Sequence, residues 1–551
     1  MRIVEPITIS DIGGFTRAST ATYWDKNGVL QTAAIDTPRW TYDPLTGEFD
    51  GLLLEKTAVT NLVTYSEQLD NAAWAKSNIT TVVTSVAIAP DATMSMDKIV
   101  PNAINTTHYI EQQITGLADN TFVCVSAFFK KAEYSYVTLN CVNKTGTGSA
   151  LRFNFDTKTI TLASAGGGGA DIRFGFIELI NGVFLLYMEN ISVGVGATTP
   201  RLRLIPCGNT DTSAFSGDGV SGVYCWGAMF HQGSSLSSYI KTIAAPGGRE
   251  ADIWTGMMLT NIPENDYAEW NSATAYVVSD RAMVTTAAYH YIYQAITNNT
   301  NKDPTLEIDP INSPVDWQLV GKTNRWKPFD GYQSSQSTIA TEMIYSVLVP
   351  DNNIVDSIVL YNVNAYQARI IVTDDIEGVV YQTTVALVSE SGITDYWEYF
   401  FAPVVRMQTL VLTGLPAYSG QRIDLQLMDE GGSPALGAFI IGLSQDIGKT
   451  QYGMQISSTD YSVKKIDDFG NITLTQRPYS DELMLNAIVK NTDLAAIKNL
   501  FTRLRATPIV VIGAEDVYDE ASAAFCIIES WSESVNYPDE TLLAFKGKGL
   551  T

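Results

Sequence analysis

The stretch IRFGFIELINGVFLLYMENIS, residues 172–192, decides the fold. Ile172, Phe174 and Phe176 alternate with Arg173 and Gly175, which is the period-two pattern of a half-buried strand. Asn181-Gly182 is a turn signal, and an apolar strand-like run follows it. The same grammar repeats on either side. YIEQQITGL (109–117), FVCVSAFFKKA (122–132), YVTLNCVN (136–143), LRFNFDTKTITLAS (151–164), RLRLIPC (201–207) and GVYCWGAMFHQG (222–233) are short apolar runs. Turn residues separate them, including Gly-Asp-Gly and the glycine run 166–169. This spacing predicts an antiparallel, jelly-roll-like β-sandwich over 61–245.

Working outward, the chain is mainly β and multidomain. Its 551 residues exceed one ordinary domain. Residues 1–60 are polar with scattered apolar positions and predict an extended N-terminal attachment segment, wrapped on a neighbouring domain or another subunit. PGGRE (246–250) reads as a linker. A small aromatic-rich β module spans 262–325. A second run of strands, from IYSVLVP to RIDLQLMD and including WEYFFAP (397–403), predicts a second sandwich over 326–432. GGSP (431–434) breaks the chain again, and 433–551 reads as an α+β domain. Its helix lies in TDLAAIKNLFTRLRATP, where Leu494, Ile497, Leu500, Phe501 and Leu504 form a stripe. Thr492 or Asn491 is the expected cap, Asp493 suits the first turn, and Pro508 ends it. PIVVIGAE predicts a strand packed on that helix.

The formal net charge of −24 leaves no whole-chain electrostatic footprint for nucleic acid and disfavours anionic membranes. No run of eighteen apolar residues predicts a membrane span, and MRIVEPITISDIGG lacks the apolar core of a secretory signal. The five cysteines, Cys124, Cys141, Cys207, Cys225 and Cys526, suit no zinc module and read as buried free thiols of a protein made in a reducing cytoplasm.

Catalytic signatures are missing. His108, His231 and His290 stand in no metal-ligand spacing, and neither GxSxG nor a P-loop occurs. Gly166–Gly169 precedes a strand rather than a helix and reads as a turn. Asp374-Asp375 and Asp467-Asp468 read as solvated turn acids. The expectation is no catalytic residue, no metal site and no cofactor. The alternative function, a polysaccharide-degrading enzyme (depolymerase), commonly rests on a β-helix, and no solenoid period occurs here.

Three resemblances point to function. RAS-AT-W (Arg17 to Trp24), PRWTYDP (38–44), GLLLE (51–55) and TNLVTYSE…AAW (60–74) resemble the opening shared by many tailed-bacteriophage fibre, spike and tail proteins. SGDGVSGVYCWGAMFHQGSSLSSYIKT (216–242) resembles the closing strand of the carbohydrate-binding-like sandwich that follows it, with His231 where that family has Glu. WNSATAYVV…YIYQAIT…DP…W is similar to small chitin-binding-like modules. Trp270 and Tyr276, Tyr293 with Ala295, Asp303-Pro304, and Trp317 match its pattern, while Ser279 stands where the family has Gly. TNRWKPFDG (323–331), WEYFFAP (397–403) and the run 441–480 resemble a phage tail-region protein.

Together these imply a virion component of the tail tip, baseplate or fibre region, made in the host cytoplasm. Its implied partners are other phage tail proteins, further copies of itself in a homotrimer or ring, and a host-surface glycan as receptor during adsorption. Flat aromatic faces suit sugar rings, so Trp270, Tyr276, Tyr291, Tyr293 and Trp317 are the carbohydrate-binding candidates. The competing reading is that so small a module needs these rings for its core.

Overall fold

The computed structural model describes residues 1–551 except 10–13, 167–170, 287–288, 390–394, 402–404, 430, 467–471, 478, 514–521, 536 and 551. The glycine run, save Gly166, and Asp467-Asp468 lie outside the described residues. Strands hold 51% of the described residues and helices 5%, so the fold is mainly β. Residues 14–255 form one compact unit, and residues 1–13 with 256–551 form the other.

Unit 14–255 is a sandwich of two six-stranded antiparallel sheets. One orders Arg173–Glu178, Val183–Ser192, Phe122–Lys131, Val223–Gln232, Met94–Pro101 and Ile79–Ile88. The other orders Thr159–Ser164, Gly148–Asn154, Tyr136–Val142, Arg201–Pro206, Tyr109–Gln113 and Ala75–Ser77. Residues 172–192 form a hairpin in which Arg173 pairs with Glu189 and Glu178 with Phe184. Asn181 and Gly182 have φ of 60° and 68°, the left-handed pair that a tight hairpin turn between right-twisted strands requires. Ile172 and Phe176 pack on the core, whereas Phe174 is exposed on the outermost strand.

Val123, Val125, Ala127 and Phe129 join Val137, Leu139, Leu202 and Leu204 in the core between the sheets. Phe128 points the other way, into a second cluster with Leu30, Trp226 and Tyr239. Leu30 belongs to the N-terminal segment. The strand Phe122–Lys131 is therefore covered on both faces, which is why its sequence is almost continuously apolar. The five cysteines are free and buried, and burial pushes the Cys141 thiol up to about 12.

The segment 1–60 is divided between the two units. Residues 14–60 cover their own sandwich, while Arg2–Pro6 is a strand of the other unit. The supposed linker 246–250 is also built in. Gly247–Arg249 pairs with Val59–Asn61, and Arg249 is buried. Its side chain meets Arg17, Arg39, Glu55 and Asp252 in one desolvated cluster. Arg39 Nη2 lies 2.8 Å from Glu55 and 2.7 Å from Asp252, Arg17 Nη1 3.3 Å from Asp252, and Arg249 Nε 3.1 Å from Glu55. Charges taken out of water persist only when paired and hydrogen-bonded, and Ser237 and Ser238 supply further donors to Glu55.

In the other unit, a five-stranded sheet orders Met258–Thr260, Met343–Leu348, Arg422–Met428, Gln367–Asp374 and Gly378–Ala386. It packs on one end of a long antiparallel sheet running from Thr409–Leu412 through Ser357–Tyr361, Ala438–Asp446, Arg2–Pro6, Ile509–Ile512, Ala523–Val535 and Glu540–Gly549 to Tyr479–Lys490. This sheet crosses the break expected at 431–434, because Ala438–Asp446 pairs with Ser357–Tyr361. At its far end, Ile497, Leu500 and Phe501 of the helix Leu494–Arg503 cover Leu485, Ile509 and Val511. The helix cap is Asp493 rather than Thr492 or Asn491. The Asn491 side chain instead donates to the carbonyls of Tyr537 and Pro538. Residues Tyr396–Phe401, expected as strand, are helical. Aromatic strand preference comes from packing on a half-buried pleat, and Tyr396, Trp397, Phe400 and Phe401 are exposed.

Candidate functional site

The aromatic module lies between the paired strands Met258–Thr260 and Met343–Leu348. Arg281–Thr286, Tyr289–Ala295 and Trp317–Lys322 form a three-stranded antiparallel meander, and Ala275–Tyr276 pairs with Asn299–Thr300. Tyr276, Ala282, Val284, Tyr293, Ala295 and Trp317 make a core of their own. The Tyr276 and Trp317 rings meet edge to face at 4.9 Å. The Tyr276 hydroxyl accepts from the Asn271 amide at 2.8 Å, and Trp317 Nε1 donates to the Lys302 carbonyl at 2.9 Å. Burial pushes the Tyr293 phenol up to about 12.

Tyr276, Tyr293 and Trp317 are thus buried and are not available to a sugar. A module this small has few other means of excluding water from its interior. Trp270 and Tyr291 are half-buried at the margin of the same core. Asp303 accepts from the amide and hydroxyl of Thr305, closing a turn. Ser279 has φ of 79° and occupies a backbone conformation that glycine adopts without strain.

Beside the meander lies a cleft of about 590 Å³. Tyr267, Tyr291 and Tyr332 line it together with Arg281, Lys322 and Lys327, and Ile311 also lines it. Lys322 Nζ sits 4.1 Å from the centre of the Tyr291 ring. Arg281 lies 5.6 Å from the Tyr267 ring and donates to its hydroxyl at 2.9 Å. Both rings therefore hold a cation against a face. Tyr332 is 56% exposed, and it is the ring open for stacking. Among the described residues, Arg281, Lys322 and Lys327 enter no salt bridge. The cleft's acids are engaged locally. Asp266 accepts from the Asn324 amide at 3.1 and 3.2 Å, and Asp330 accepts from the Tyr332 amide at 2.7 Å and from the Ser335 hydroxyl. Burial raises the Asp330 pKa against these hydrogen bonds and the nearby lysines.

A polar knot fixes one wall. Glu264 accepts from Thr323 at 2.6 Å, lies 2.9 Å from His290 Nδ1, and is 3.5 Å from Arg325. Burial would raise its pKa, but the hydrogen bonds from His290 and Thr323 and the charge of Arg325 outweigh it and lower the value. This ties the strand Tyr289–Ala295 to the 3₁₀ turn Asn324–Phe329, which carries Lys327.

Of the five candidates from sequence, Tyr291 alone lines the cleft. Tyr267, Arg281, Lys322, Lys327 and Tyr332 escaped notice. The available signal was Lys322, Arg325 and Lys327 close together in an acidic chain, followed by a tyrosine in the turn FDGYQSS. Among the described residues no group of three or more His, Cys, Asp or Glu could hold a metal ion, and no helix is long and apolar enough to cross a membrane.

No protein-family model matches the chain, and no curated protein does. Among solved structures, the coconut allergen cocosin aligns at 9% identity over 70% of this chain and 90% of that one, with a TM-score of 0.10. That likeness is too slight to bear on fold or function.

Proposed function

We propose that the chain is a structural component of a bacteriophage tail, at the tail tip, baseplate or fibre region, that presents β modules for binding host-surface glycan without catalytic turnover. The observation that carries the binding reading is the cleft, where the exposed Tyr332 stands among hydrogen-bonding side chains. An exposed ring offers the apolar face of a pyranose a partner, and polar neighbours fix its orientation. The tail assignment is supported by the resemblance of 15–74, 216–242 and 441–480 to phage tail and fibre proteins. Exposed Ile466, Ile472 and Leu474 on the paired strands Val463–Ile466 and Ile472–Thr475 support assembly with other copies or tail proteins, because such surface is ordinarily covered. Multivalency in that assembly would strengthen weak single sites.

The test compares wild type with Tyr332→Ala on a glycan array and on host cells, with melting temperature as the control. Loss of binding at unchanged melting is expected. Equal binding by both proteins would remove the cleft from adsorption, and absence of the chain from purified virions would remove the tail assignment.

A further inference from the structure

We infer that the cleft selects an anionic saccharide, with Lys322 and Lys327 meeting the acidic group and Tyr332 stacking on the ring. This deepens the glycan-binding reading and rests on it. The chain carries a net charge of −24, yet three cations line one cleft with no salt-bridge partner among the described residues.

Elsewhere in the same module, Arg325 is paired with Glu264 and Lys302 with Asp316. The cleft's three cations outnumber its two acids, and Asp330, which feels the charges of Lys322 and Lys327, forms no salt bridge with either. Asp266 faces the Asn324 amide, and Asp330 is held by Tyr332 and Ser335. The ammonium of Lys322 lies over Tyr291 and 5.6 Å from Trp326. Those rings hold it in place without cancelling its charge. A neutral sugar would leave the cleft's excess positive charge unmet, whereas a carboxylate or sulfate supplies charge-assisted hydrogen bonds. Tyr291 and Tyr267 thus serve to position cations, and Tyr332 is left for the sugar face.

The experiment applies the full chain to an array holding carboxylated, sulfated and neutral oligosaccharides. The variants are Lys322→Gln, Lys327→Gln and Lys327→Arg, each checked for unchanged melting. Acidic members should bind, neutral ones should not, and each Gln variant should weaken binding by about tenfold while Lys327→Arg retains it. Binding should also weaken between about 50 and about 500 mM NaCl. The carboxylated and sulfated arms identify which acid is taken. Neutral members bound equally well by wild type and Gln variants would overturn the anionic assignment and leave glycan binding standing. Acidic members bound equally by the Gln variants would overturn the assignment to this cleft. No binding to any member would overturn the glycan reading, and this inference with it.

Discussion

Arg39 Nη2 lies 2.7 Å from Oδ2 of Asp252, which is 213 residues further along the chain, and neither side chain reaches solvent. The contact closes the N-terminal segment over its sandwich. Asp252 also receives Arg17 and the Glu55 amide, so its removal leaves two guanidinium groups short of a partner. Asp252→Asn should cost roughly 3–5 kcal/mol, the usual penalty for stranding a buried charge, measured by urea unfolding. A loss below about 1 kcal/mol would mean the cluster behaves like a surface pair.

Acid should loosen the same region. Burial pushes the Glu55 pKa up, but Arg249, Arg39 and the Ser238 hydrogen bonds outweigh it, so the folded value lies below the usual carboxylate range. A depressed folded pKa gives stability that is complete above the unfolded value of about 4.3. That stability is lost as pH falls through the folded value. Melting temperature should therefore drop on acidification from neutral pH, and Glu55→Gln should start lower and show a shallower drop. Parallel pH profiles for the two proteins would exclude Glu55 as a source.

Ser279→Gly should stabilise the aromatic module. The left-handed backbone at φ 79° costs a non-glycine residue about 1–2 kcal/mol, and glycine's larger unfolded-state entropy returns part of the gain. A net gain of about 0.5–1 kcal/mol is expected in thermal unfolding. A loss would indicate that the Ser279 side chain contributes more than its backbone costs.

Trp317→Ala and Tyr332→Ala should separate core from cleft. Trp317 is fully buried, with its indole bonded to Lys302, so truncation should cost about 3–5 kcal/mol. Tyr332 is exposed, and its truncation should stay within about 0.5 kcal/mol. Similar unfolding curves for the two variants would contradict the division drawn between them.

Strand grammar was legible because period-two alternation and Asn-Gly turns act locally. The hairpin 172–192 and the helix over 494–503 follow from such short-range signals. The joining of strands across 431–434 was not, because pairing of 438–446 with 357–361 is a long-range choice and glycine-proline turns interrupt sheets and domains alike. The aromatic candidates show the same limit. Trp-Tyr spacing marks a module that needs rings, but burial and exposure depend on which face each strand turns inward. Tyr276 and Trp317 went inside for that reason. The cleft gathers Tyr267, Tyr291 and Tyr332 from three separate segments, and no local pattern announces such a meeting.

The strand Arg2–Pro6 lies between Ala438–Asp446 and Ile509–Ile512. During synthesis Arg2 emerges 510 residues before Ile512, the difference of their numbers. At roughly 5–20 residues per second the strand waits about 25–100 s for that second neighbour. Residues 14–255 can complete their sandwich in that interval, as an insert folding ahead of its host. The remaining unit closes only after the strands from Ile509 to Gly549 arrive. Both edges of the strand are open to other chains until Ala438–Asp446 arrives, and one edge stays open until Ile509–Ile512 does, so crowding of nascent copies is a hazard in making this protein.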